Sequence, residues 1–147
     1  MLAPTSLCLT RVAVVLVGLA LVGCGKYDHL APLTGKVLYN GRPLEFGTVN
    51  LRPVDGGEFT RGIIQSDGSF AMKTNDGTEG AAIGVNSVRV TCFTGQRPGA
   101  AAQRGDEEAS LGRSLIPHHY NQFSSSGLSV EVKPESNEPF VINIEGG

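Results

Sequence analysis

The chain contains no tryptophan, and tyrosine and phenylalanine make up only 6% of its 147 residues. The flat indole face on which a sugar ring stacks best is therefore missing. Basic residues are few and scattered, 12 against 14 acidic, with no Lys/Arg block. This argues against nucleic acid as a partner, because phosphate backbones are held by clustered positive charge. No apolar run reaches the roughly 20 residues that a membrane-spanning helix needs. No segment carries a convincing amphipathic-helix pattern. What the chain has in quantity is glycine and proline, 20 and 8 residues, a composition suited to many turns.

The first 23 residues differ from the rest. Arg11 supplies a positive charge, and an apolar run over 12–22 follows, broken by Gly18. Its length fits the apolar region of a secretory signal peptide, roughly 7–15 residues. The run ends Leu21-Val22-Gly23-Cys24, which resembles the lipobox of bacterial lipoproteins. That resemblance implies cleavage after residue 23 and a diacylglyceryl group on the Cys24 thiol. Two or more acyl chains give stable attachment at about 0.8 kcal/mol per buried CH₂. Residue 25 is Gly rather than the aspartate of the commonest inner-membrane retention rule, so the expected address is the outer membrane, facing the periplasm or the exterior. Residues 24–32 then form a lipidated tether, whose eight residues beyond Cys24 reach at most about 29 Å when extended. Any partner must lie close to the membrane.

Removing residues 1–23 leaves 124 residues, 11 basic and 14 acidic, with net charge −3. This is one domain's worth of chain. Cys8 departs with the signal peptide and Cys24 is taken by lipid. Cys92 is left without a partner, so the mature domain has no internal disulfide. On an alternating strand it reads as a small buried hydrophobe.

Short alternating segments recur, separated by Gly, Pro, Asn and Asp. Over 33–39, Leu33, Gly35, Val37 and Tyr39 share one face. The next segments cover 48–54 (Val49 and Leu51 inward), 61–65 and 69–74. The segment over 87–93 turns Val88, Val90 and Cys92 one way and Arg89 and Thr91 the other. Leu128, Val130 and Val132, then Phe140, Ile142 and Ile144, complete the series. Asn40-Gly41 and Ser66-Asp67-Gly68 read as hairpin turns. About seven strands with period-2 patterning predict an all-β domain over 33–144, built as a β-sandwich. The segment over 94–114 is polar and glycine-rich, and it reads as a long flexible surface loop.

The order Gly35-Lys36-Val37, Tyr39-Asn40-Gly41-Arg42-Pro43-Leu44, Gly47-Thr48-Val49 and Ser66-Asp67-Gly68-Ser69-Phe70 resembles the carboxypeptidase regulatory-like, or transthyretin-like, β-sandwich family. Leu115-Ile116-Pro117-His118-His119-Tyr120-Asn121 and Ser126-Gly127-Leu128-Ser129-Val130-Glu131-Val132 resemble the second half of small bacterial lipoproteins built on that domain. The family's frequent Pro-Gly-x-Tyr is replaced here by Gly84-Val85-Asn86-Ser87-Val88. The resemblance implies an Ig-like or transthyretin-like sandwich and a non-catalytic module without a cofactor. One hydrolase on this fold ends in Tyr-Arg-Gly-Ser. The present chain reads Asn143-Ile144-Glu145-Gly146-Gly147, so that activity is not expected.

Adjacent residues of an extended segment point to opposite sides, so His118 and His119 do not chelate one ion, and no metal site is expected. Ser124-Ser125-Ser126 lacks a nucleophile elbow or a positioned acid and reads as a turn. The function these features support is a membrane-anchored structural or protein-interaction module of the cell envelope. The alternative is a polysaccharide- or peptide-binding module using the loop around 118–123, with His118, Tyr120 and Phe123 as ligand contacts. Envelope proteins or cell-wall glycans are the corresponding partners. Cys24→Ala should abolish fatty-acid labelling and release the chain from the membrane fraction. Labelling that persists in the variant contradicts the anchor.

Overall fold

In the computed structural model, the described residues are 29–100, 111–135 and 137–147. The expected signal peptide, Cys24 and the first residues of the expected tether lie outside them, as do residues 101–110 of the long loop. The chain is all-β. Its strands are β1 (Leu30–Ala31), β2 (Thr34–Tyr39), β3 (Arg42–Pro43), β4 (Thr48–Pro53), β5 (Thr60–Ile63), β6 (Ser69–Thr74), β7 (Ala81–Ala82), β8 (Gly84–Thr91), β9 (Leu128–Val132) and β10 (Phe140–Ile144). The only helical pieces among the described residues are 3₁₀ turns at Thr94–Gln96 and His118–Asn121. No described helix is long and apolar enough to cross a membrane.

The main sheet runs β10-β2-β6-β5-β4-β8-β9, with β3 added to β2. β1 and β7 form a separate antiparallel pair. All neighbours are antiparallel except β10 and β2, which pair in parallel. The sheet curls. Val37 and Ile142 from one end and Val49, Leu51, Val88, Val90 and Val132 from the other bury their side chains in one core. These are the inward positions of the alternating segments, so the period-2 pattern translates directly into burial.

Turn chemistry sets the registers. Asn40 and Gly41 both adopt positive φ, 49° and 79°, the requirement of a type I′ hairpin turn. Tyr39 is thereby placed opposite Arg42. Between β5 and β6, the Asp67 Oδ1 accepts from the Ser69 backbone N–H at 3.0 Å and from the Ser69 hydroxyl at 2.6 Å. Those bonds hold the Asp67 carboxyl below its ordinary range.

The curl is made at β6. Its first half pairs with β2 through Ser69, Phe70 and Ala71. Its second half pairs with β5 through Met72, Lys73 and Thr74. The Phe70 ring fills the space that side chains at Gly35 and Gly62 would occupy. A Cβ at Gly35 would overlap that ring and the Phe140 carbonyl oxygen, and one at Gly62 would press on the ring and on the Met72 sulfur. Glycine inside a strand here permits close approach of a neighbour. Gly35→Ala should cost about 1–3 kcal/mol, the range for overpacking a filled core, read as a lowered urea midpoint. An unchanged midpoint contradicts this packing.

Candidate functional site

Strand register gathers positive charge on the outer face of the sheet. Asn50 of β4 lies opposite Arg61 of β5 and opposite Arg89 of β8, and Arg61 lies opposite Lys73 of β6. Directly opposed residues project from the same face, so Lys73, Arg61, Asn50 and Arg89 form one row across four strands. Arg52, two residues beyond Asn50, adds a third guanidinium on that face. The Asn50 Oδ1 accepts from the Arg61 Nε at 3.4 Å, and its amide nitrogen donates to the Thr48 hydroxyl at 3.3 Å.

The loop over 114–127 supplies the aromatic partner. The Ser126 hydroxyl donates to the Val88 carbonyl and accepts from the Leu128 N–H at 3.2 Å, which pins the end of the loop to β8. The Ser125 hydroxyl donates to the His119 carbonyl at 2.8 Å, and the Asn121 amide donates to the Ser114 hydroxyl at 3.0 Å. Thus fixed, Phe123 meets the guanidinium carbons of Arg52 and Arg89 at 4.6 and 4.9 Å from its ring centroid, within cation–π range. Phe59 packs beside it at 6.1 Å, tilted by 36°.

Asn50, Phe59, Arg61, Asn75, Arg89 and Phe123 line a hollow of about 250 Å³. Arg61 and Asn75 also line a larger groove of about 860 Å³ across β2, β6 and β5, where Lys36 and Lys73 stand. Hollow and groove therefore adjoin at Arg61 and Asn75. Lys73 is matched by Glu79 at 3.5 Å. Among the described residues, no carboxylate forms a salt bridge with Arg52, Arg61 or Arg89. The Arg89 Nε is buried without a hydrogen-bond partner. Burial, then the like charges of Arg61 and Arg52, pull the Arg89 guanidinium below its usual pKa. An oxyanion is the group that would satisfy this arrangement.

The residues anticipated from the sequence separate. Phe123 belongs to the hollow. Tyr120 instead packs against the hydrophobic core, with the His119 ring 4.0 Å from its own. His118 and His119 are exposed and lie on a 3₁₀ turn rather than on an extended segment. Among the described residues, no group of three or more His, Cys, Asp or Glu side chains could hold a metal ion. The serines near the histidines fasten the loop. Arg52, Arg61 and Phe59 were not singled out by sequence reasoning, and Arg89 only as an outward position. The outward phase of the arginines on alternating strands was the available signal, but the register that unites them was not.

The stem of the long loop is paired. Phe93 bridges Ser114, the Thr94 N–H donates to the Arg113 carbonyl at 3.0 Å, and the Gly95 N–H donates to the Leu111 carbonyl at 2.9 Å.

Comparison with protein-family models, with curated proteins and with solved structures finds no match to this chain.

Cys92 sits in the core at 1% exposure, and burial pushes its thiol up to about 11. In the unfolded chain the thiol ionises near its ordinary value of 9.0. Below that pH both states hold the proton. Above it the unfolded state gains by releasing one, so stability should fall as pH rises from about 9 to 11. Cys92→Ala should flatten that slope in urea titrations, and an equal slope in the variant contradicts the assignment.

Proposed function

We propose that this chain is a non-catalytic binding module of the bacterial cell envelope, held at the outer membrane by lipid on Cys24. Its domain is read as a β-sandwich of the carboxypeptidase regulatory-like, transthyretin-like kind. One core shared by the two ends of the curled sheet is consistent with that reading. The recognition surface is the outer face of β4, β5 and β8 together with Phe123.

The observation that carries this reading is the gathering of Arg52, Arg61 and Arg89 on one face, Arg52 and Arg89 against the Phe123 ring and Arg61 beside Asn50 in the same hollow, without a carboxylate among the described residues in a salt bridge to any of them. Like charges placed together weaken a fold. A protein that only needed a stable spacer would gain by replacing one of them with a neutral residue. Both partners expected from the sequence, an envelope protein or a cell-wall glycan, can use such a face. The non-catalytic part of the reading draws on the positions of the candidate nucleophiles. Ser125 and Ser126 spend their hydroxyls on backbone carbonyls of the same domain.

The lipid-bearing wild-type chain should sediment with purified envelope. Arg61→Glu combined with Arg89→Glu should reduce that retention at least tenfold, measured in a detergent that dissolves the lipid anchor. Retention equal to wild type in the double variant contradicts a recognition role for this face.

A further inference from the structure

We infer that the ligand of this face is an acidic glycan, with a carboxylate or phosphate group seated between Arg61 and Arg89 and an adjoining sugar ring against Phe59. The inference rests on the binding-module reading above and deepens it.

Three observations select this chemistry. The first is the donor geometry. A guanidinium stacked on an aromatic ring uses its flat face, and its N–H edge stays available for a planar or tetrahedral oxyanion. The Arg89 guanidinium carbon lies 4.9 Å from the Phe123 ring centroid, and its buried Nε has no hydrogen-bond partner within the protein. Arg61 approaches from the other side of Asn50, two strand spacings or about 10 Å away at the backbone.

The second is the aromatic neighbour. Phe59 lies at the rim of the hollow and is 48% exposed, although its ring packs beside Phe123. A half-exposed apolar ring beside paired cations suits the C–H face of a charged sugar better than a free ion. The third is extent. A hollow of about 250 Å³ is smaller than the roughly 300–1,000 Å³ of clefts that swallow a whole small molecule. It fits one charged residue, and the ligand extends toward the adjoining groove, where Lys36 stands. A chain of repeating acidic units matches cations spread over Lys36 of β2, Arg61 of β5, Arg52 of β4 and Arg89 of β8. The overall net charge of −3 after loss of residues 1–23 disfavours broad adhesion to nucleic acid, which leaves the local match as the source of recognition.

The test uses the full lipid-bearing chain in neutral detergent, with arginine Nε–H signals followed by NMR. Four probes are titrated: trigalacturonate for the carboxylate, mannose 6-phosphate for the phosphate, maltotriose as a neutral sugar, and inorganic phosphate as a free anion. At least one acidic probe should move the Arg61 and Arg89 signals and bind at least tenfold more tightly than maltotriose. The tighter acidic probe identifies the anion. Arg61→Gln, an exposed and structurally mild change, should weaken that probe about tenfold. Phe59→Ala should weaken it several-fold while leaving inorganic phosphate unaffected.

Silence of both acidic probes, or equal binding of maltotriose, overturns the assignment. So does undiminished affinity in Arg61→Gln. If envelope retention still depends on Arg61 and Arg89 while both acidic sugars are silent, the glycan is wrong and the binding-module reading stands. If retention ignores those arginines, that reading itself fails.

Discussion

The architecture depends on how β6 passes from one side of the sheet to the other. A strand that pairs with β2 through its first half and β5 through its second turns a flat sheet into one that can enclose a core. The turn is possible because Phe70 finds glycine on both neighbouring strands, Gly35 and Gly62. Fully burying such a ring contributes about 1.5–3 kcal/mol. With no disulfide partner for Cys92 among the described residues, packing of this kind carries the stability of the domain. The same hand-over places Lys73 opposite Arg61. The corner that makes the core also aligns the charged row on the outside.

That row obeys a different logic from the core. Inside, most alternating positions are filled by apolar side chains that gain from burial, with Thr60, Thr74 and Asn86 as buried polar exceptions. Outside, Asn50 stands between Arg61 and Arg89 and accepts from the Arg61 Nε, and Phe123 covers the guanidinium groups of Arg52 and Arg89. Cation–π contact and one long hydrogen bond act against the mutual repulsion, and no carboxylate among the described residues adds a salt bridge. The loop that brings Phe123 is itself fastened by Ser126 to the backbone of β8, so the aromatic ring is held rather than free to withdraw. An arrangement fixed so firmly, yet electrostatically incomplete, is what a preformed anion site requires.

Much of the fold was legible because its cause is local. Alternation named the inward residues of β2, β4, β8, β9 and β10, and turn chemistry named Asn40-Gly41 and Asp67-Gly68. The short strands β1, β3 and β7 gave no periodic signal, because two residues cannot alternate. The candidate site was legible only in part, since it depends on register. Phe123 could be picked out as an aromatic in a polar loop, but nothing in the sequence distinguished it from Tyr120. The structure turns Tyr120 to the core and Phe123 to the arginines. Arg52, Arg61 and Arg89 are separated by up to 37 positions, and only the pairings through Asn50 make them neighbours.

The central claim is that Arg52, Arg61 and Arg89 are kept together for a ligand and not for the fold. It is tested most directly by the stability of Arg61→Gln without ligand. Neutralising one of three like charges should stabilise the fold at low ionic strength by about 0.2–1 kcal/mol, read as a higher urea midpoint. The gain should shrink in 1 M salt, where the screening length falls to about 3 Å. A variant that is less stable than wild type at both salt concentrations would show that Arg61 supports the fold, and would contradict the account.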